Sequence, residues 1–148
     1  MILIDANLLL YAYDSQSQRH DAARRWLEDV LSGAQPVRLA WLVILAFLRI
    51  ATDARAVRRP LALEDAVGTV SAWLNRPNVD VLQPSERHWS ILNELLVKAQ
   101  ARRALVMDAH LAALAIEHGA TLQTTDRDFA RFAGLTHVNP LEAQSGKR

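Results

Sequence analysis

Four aspartates stand out by where they fall. Asp5 interrupts the apolar opening MILIDANLLLYA, Asp108 heads the pattern MDAHLAALAIEHG, and Asp126 and Asp128 close TLQTTDRDF. A carboxylate set into an apolar run costs free energy unless something offsets it. If such acids converge, two ionised carboxylates about 4 Å apart repel by roughly 4 kcal/mol at an effective dielectric of 20, so they need a cation or a shared proton. Magnesium and manganese take oxygen ligands and retain waters, so a few Asp side chains suffice without Cys or His. A centre of that kind activates water and stabilises charge on a phosphate, which makes phosphodiester hydrolysis its natural chemistry.

Taken singly, three of the four have a plainer reading. Asp108 reads as the N-cap of its helix, facing the positive end of the helix dipole. Asp126 and Asp128 read as turn residues after a strand. Asp5 is harder to dismiss, because it breaks an apolar run instead of following one.

The elements that must hold these residues alternate along the chain. Ile2 to Ile4 is a short aliphatic run of the kind buried on both faces of a sheet, with Asp5 at its C-terminal end. After the polar patch Asp14 to Ser17, apolar residues Ala23, Trp26, Leu27, Val30 and Leu31 recur at helical spacing up to Gly33. Gln35 to Leu39 is a second extended stretch, and Trp41 to Thr52 a helix apolar on nearly all sides. Leu63, Val67, Val70 and Leu74 mark a helix that Pro77 closes. Val79 to Leu82 is extended, Trp89 to about Ala99 helical, and the helix from Asp108 ends at Gly119. Thr121 to Thr125, and a last piece at His137 and Val138, are extended. Strands separated by helices predict an α/β fold with a mainly parallel sheet, in which ligands collect beyond the carboxyl ends of the strands.

Composition narrows the class. The chain has 148 residues, 51% of them hydrophobic and 22% charged, which fits one globular domain and excludes a disordered protein. It has no Cys, which removes disulfides and thiolate metal sites and points to the cytoplasm. No basic leader precedes the first apolar run, and LAWLVILAFL stops at Arg49, too short to span a bilayer, so neither a secretory signal nor a membrane span is expected. With 17 basic and 16 acidic residues the net charge is +1, so a nucleic-acid contact rests on local clusters: Arg55, Arg58 and Arg59, or Arg102 and Arg103. His20, His88, His118 and His137 share no ligand spacing, and His110 lies on a different helix face from Asp108, so packing or surface roles are expected for all five. Trp26, Trp41, Trp73 and Trp89 fall on helical segments and are expected in the core or at a dimer contact.

The stretches ILIDANLLLYA, WLVILAFLRIATDAR and VMDAHLAALAIEHGATLQTTDRDFARFAGLTHVNPL together resemble a PIN domain, and more narrowly a VapC-type toxin ribonuclease of a bacterial toxin–antitoxin pair. The resemblance covers nearly the whole chain and rests on the order and spacing of the motifs. It implies a three-layer α/β/α sandwich over residues 1–141 with a polar tail at 142–148. It also implies a magnesium-dependent endoribonuclease, with manganese as a substitute, acting on RNA, forming a homodimer and held inactive by a VapB-type antitoxin. By position, Asp5 and Asp108 match the principal metal-binding acids, and Asn7 matches a small polar residue that supports the first. Asp126 is the first choice for the third acid; Asp128 is the alternative, or else the cap of the segment Phe129 to Phe132.

The chain departs from the pattern at Ala46, where many members carry Glu just before a segment like FLRI. Three explanations stand: fewer carboxylates suffice, Asp53, Glu64 or Asp65 substitutes, or activity is weak. Two rival readings follow. One is a non-catalytic binding module of the same fold. The other is a phosphatase with Asp5 as nucleophile, disfavoured because its usual second Asp is Asn7.

Overall fold

The computed structural model describes residues 1–142, so most of the tail expected at 142–148 lies outside the described residues. Five short strands, β1 (Ile2–Ile4), β2 (Val37–Leu39), β3 (Val79–Val81), β4 (Thr121–Gln123) and β5 (His137–Val138), form one sheet in the order β3-β2-β1-β4-β5. All four pairings are parallel, with Ile2 opposite both Val37 and Thr121. β1 matches its expected strand residue for residue, and β2, β3 and β4 match theirs trimmed by one or two residues.

Parallel neighbours need long connections, and the helices supply them. The segments α1 (Ala6–Tyr13) and α2 (His20–Ser32) link β1 to β2; α3 (Trp41–Ala51) and α4 (Leu63–Leu74) link β2 to β3. Then α5 (His88–Lys98) and α6 (Ala104–His118) carry the chain back across the sheet to β4. Helix α1 packs on α2 and α3, and α3 on α4, whereas α5 packs on α6. Because the two sets of crossovers run in opposite directions, right-handed connection places them on opposite faces of the sheet. The result is the three-layer sandwich. Its core is continuous and includes Leu3, Ile4, Leu8, Leu39, Phe47, Leu114, Leu122 and Phe129.

The reversal of direction falls between β1 and β4. At such a switch point the connections diverge and leave a crevice at the carboxyl ends of the two strands. Asp5 leaves β1 there, and Thr124 to Asp126 leave β4.

Two local expectations need correction. Helix α1 has no counterpart in the sequence reading; it begins directly after Asp5, which caps it. Helix α6 begins at Ala104, so Asp108 is its fifth residue and not its N-cap. The reason is that Ala104 to Met107 favour helix, while the start is set by Arg103 at φ 55°, ψ −129°, without a side-chain cap. Trp26 and Trp73 lie in the core, and Trp41 and Trp89, 49% and 67% exposed, stand outside it, which leaves the dimer contact as the expected role of these two.

Candidate active site

The site grows from the end of β1. The Asp5 N–H donates to the Gln123 carbonyl at 3.0 Å, which extends the β1–β4 ladder by one bond and fixes where the side chain emerges. One carboxylate oxygen, Oδ1, accepts the Ala6 N–H at 2.8 Å. The other, Oδ2, accepts the Thr124 hydroxyl at 2.7 Å. Asp5 is therefore both helix cap and site residue; the two roles use different oxygens.

Thr124 is the joint of the arrangement. Only 2% exposed, it donates to Asp5 and at the same time its Oγ1 accepts the Asp126 N–H at 3.0 Å. A hydroxyl can donate once and accept twice, so one side chain ties the ends of β1 and β4 together. Sequence reasoning passed over it; the only signal was a polar TT pair between the strand and the first acid.

Asp126 accepts the Asp128 N–H through Oδ1 at 2.9 Å and so caps the 3₁₀ turn Arg127–Arg131. The cap expected of Asp128 thus belongs to Asp126, because the turn starts two residues earlier than Phe129. Asp128 sits in the first turn, exposed.

Asp108 enters from α6. Its carboxyl is pushed up to about 6, by burial first and then by the charges of Asp126, Asp5 and Asp128. Asp5 is raised as well, mainly by burial and in small part by Asp126, against the lowering effect of its bonds to Thr124 and Ala6. Acids from three separate segments of the chain therefore act on Asp108 and Asp5 across the crevice, and Asp126 weighs more on Asp108 than Asp128 does. Among the described residues no three His, Asp or Glu side chains close around a point as a ready-made cage. The donor chemistry nevertheless fits a hard divalent cation: all oxygen, converging, and short of positive charge. A cation relieves the repulsion that raises Asp108.

Ala46 lies half-buried on α3 and adds no carboxylate. Of the proposed substitutes, Asp53 is occupied by Arg55, whose backbone N–H and Nε lie 2.9 and 3.3 Å from its Oδ1. Glu64 and Asp65 are exposed in the first turn of α4.

A second polar cluster backs α6 away from the acids. The Glu117 side chain is fully buried, yet it accepts the Ser85 hydroxyl at 2.9 Å and lies 3.1 Å from His88 Nδ1. His88 Nε2 in turn lies 2.9 Å from His110 Nδ1. The His118 ring bonds the Gln83 carbonyl at 2.8 Å, and Gly119 closes the helix at φ 67°. This gives the EHG motif a physical meaning: a buried carboxylate, a loop anchor and a left-handed stop. His110 and Asp108 are two residues apart, roughly 200° around the helix, so the clamp grips the turn opposite the acid. His88, His110 and His118 thus pack as expected, but as a network and not as separate core residues.

Comparison with known proteins agrees with this architecture. The PIN domain pattern matches residues 2–135. "Ribonuclease VapC37" of Mycobacterium tuberculosis is 44% identical over 140 residues, covering 95% of this chain and 97% of that protein. "Ribonuclease VapC33" of the same species is 42% identical over 141 residues, covering 95% and 99%. Among solved structures, M. tuberculosis VapC20, described as a sarcin-ricin loop cleaving toxin, superposes with a TM-score of 0.65 at 20% identity over 92% of this chain and 99% of that one. VapBC2 from Rickettsia felis, bound to a DNA fragment from its promoter, gives 0.67 at 19% identity over 93% and 98%. With the family pattern spanning most of the chain and relatives above 40% identity over nearly all of it, the protein belongs to the PIN domain family, in its VapC-type branch.

Proposed function

We propose that this protein is a magnesium-dependent endoribonuclease and the toxin of a type II toxin–antitoxin pair. Asp5, Asp108 and Asp126 hold the cation, and Asp128 stands at the rim. The observation that carries this reading is the gathering of the acids at the β1–β4 switch point, where burial first and the charges of Asp126, Asp5 and Asp128 after it raise the Asp108 carboxyl to about 6. A structural cap gains nothing from such neighbours; a cation site does. When bound, magnesium or manganese supplies an activated water and neutralises charge on the scissile phosphate. The chain's own part is positional. Thr124 ties the Asp5 carboxylate to the Asp126 backbone, α6 brings Asp108 from the opposite layer, and the crevice receives the RNA strand.

The names of the relatives support RNA as the substrate. The solved complex from R. felis pairs toxin with antitoxin, which supports a VapB-type protein as partner. Residues 1–141 act as a single domain in this reading. Among the described residues no helix is long and apolar enough to cross a membrane, and we place the protein in the cytoplasm, as a homodimer.

The deciding test is RNA cleavage with added magnesium by the wild type and by Asp5→Asn. Loss of cleavage is expected; undiminished cleavage by the variant overturns the assignment. Ala46 favours a second reading, a PIN-like module that binds RNA or protein without cutting. Wild-type protein that binds RNA but shows no magnesium-dependent turnover selects it.

A further inference from the structure

A cavity of about 330 Å³ opens beside the acids, one strand further along the sheet. It shares Thr124 and Asp126 with the candidate active site and is otherwise lined by Thr125, Arg127, His137 and Asn139, with Glu142 at its edge. Its position follows from the topology. Because β1, β4 and β5 are adjacent and parallel, their carboxyl ends stand in a row, Asp5 then Thr124 to Asp126 then Asn139, with strand ends roughly 4.8 Å apart. The Thr124 N–H donates to the Val138 carbonyl at 3.0 Å and closes the floor between β4 and β5.

Part of the hydrogen-bonding capacity of Thr125, His137 and Asn139 is unused among the described residues. The side chains of Thr125 and His137 make no hydrogen bond to the described residues. Asn139 uses Oδ1 to accept the Leu141 N–H at 3.0 Å, which leaves its amide N–H₂ to donate elsewhere. Arg127 is almost fully exposed, with one long pairing to Glu142 at 3.9 Å, so its guanidinium plane is open to stacking. The Asp126 carboxylate at the side of this cavity disfavours a second phosphate there. A neutral planar group with donors and acceptors on its edge suits it, and unpaired RNA is read through such edges and through stacking on arginine planes.

We propose that this cavity is a nucleobase subsite, holding the base of a nucleotide next to the scissile phosphate, with Asn139 and His137 reading its edge and Arg127 stacking on its face. This rests on the ribonuclease reading, to which it adds a source of sequence preference: the acids engage the backbone, common to every RNA, while this cavity engages a base.

Two measurements decide it. In the first, isotope-labelled wild-type protein is titrated with AMP, GMP, CMP and UMP, with ribose 5-phosphate as the reference, following the Asn139 side-chain amide and the His137 ring C–H signals by NMR. Saturable shifts are expected with at least one nucleotide, at several-fold lower concentration than with ribose 5-phosphate. Silence from all four nucleotides, or equal shifts from ribose 5-phosphate, overturns the subsite. The second compares cut-site sequences in a random RNA pool for wild type and Asn139→Ala. The base preference beside the cut is expected to flatten severalfold, a ratio independent of total rate. An unchanged profile from an actively cutting pair overturns the subsite. Failure of the wild type to cut counts against the ribonuclease reading instead, and the nucleotide titration then decides the cavity's role alone.

Discussion

Thr124 shows how much depends on a residue with no charge of its own. Its hydroxyl holds Asp5 Oδ2 and the Asp126 backbone at once, so Thr124→Val, which keeps the shape and removes the oxygen, leaves a carboxylate oxygen and an N–H without their partner. Partners outside the ligand set of a metal centre are worth about 10–100-fold in affinity or activity. The expected outcome for Thr124→Val is a loss of that size in manganese affinity, measured by calorimetry without RNA, with Thr124→Ser close to wild type because the hydroxyl is retained. Equal affinity in the Val and Ser variants rules out the joint. For Asp5→Asn and Asp108→Asn, which remove a proposed ligand outright, the loss in cleavage is expected to reach about a hundredfold or more on the same scale. Asp128→Asn is expected to cost far less, since the Asp128 carboxylate is exposed and weighs least among the three charges acting on Asp108.

At the scale of the element, α6 is held by unusual means at both ends. Its N-terminus places Arg103, a residue with a Cβ, at φ 55°, ψ −129°, backbone that favours glycine. Arg103→Gly is expected to relieve that strain and raise stability by about 1 kcal/mol, read from urea unfolding; a loss of stability refutes strain at this turn. At the other end the buried Glu117 is held by Ser85 and His88, with His118 Nε2 3.5 Å from its Oε1, so His88→Ala removes a partner from a buried carboxylate. A cost of roughly 3 kcal/mol or more is expected in the same assay, and a change within about 0.5 kcal/mol dismisses the clamp. These two ends also explain what could be read from the chain alone. The strands, most of the helices and the four acids were legible because apolar period and punctuation by Gly and Pro are local signals. The true start of α6 was not, since Arg103 adopts a conformation its type disfavours, and no cap residue announces it. Helix α1 was missed because its apolar residues continue those of β1, and period alone does not separate a buried strand from a buried helix. The joint at Thr124 and the clamp on Glu117 are contacts between residues 119 and 29 to 32 positions apart, which no local pattern encodes.

The whole molecule feels the acid site through proton linkage. The Asp108 carboxyl lies at about 6 in the folded chain against 3.8 for an ordinary Asp, so the folded state holds this proton more tightly than the unfolded state does. Stability from that difference is fully present below about pH 4 and is lost as pH rises through about 6; Asp5, also raised, acts in the same direction. Above pH 6 the ionised acids oppose folding unless a cation neutralises them. The group is only partly buried, so solvent screening reduces the effect to the order of 1 kcal/mol. Other carboxylates titrate over the same range, which makes the comparison with Asp108→Asn the informative one. In urea unfolding without divalent ions, the variant is expected to match the wild type near pH 4 and to exceed it by about 1 kcal/mol at pH 7.5. Millimolar magnesium is expected to stabilise the wild type at pH 7.5, to do little at pH 4, and to leave the variant nearly unchanged at either pH. A gap between variant and wild type that does not widen with pH shows that Asp108 is not strained by its neighbours. A wild type indifferent to magnesium at pH 7.5 shows that the strain, though present, is not relieved by that cation.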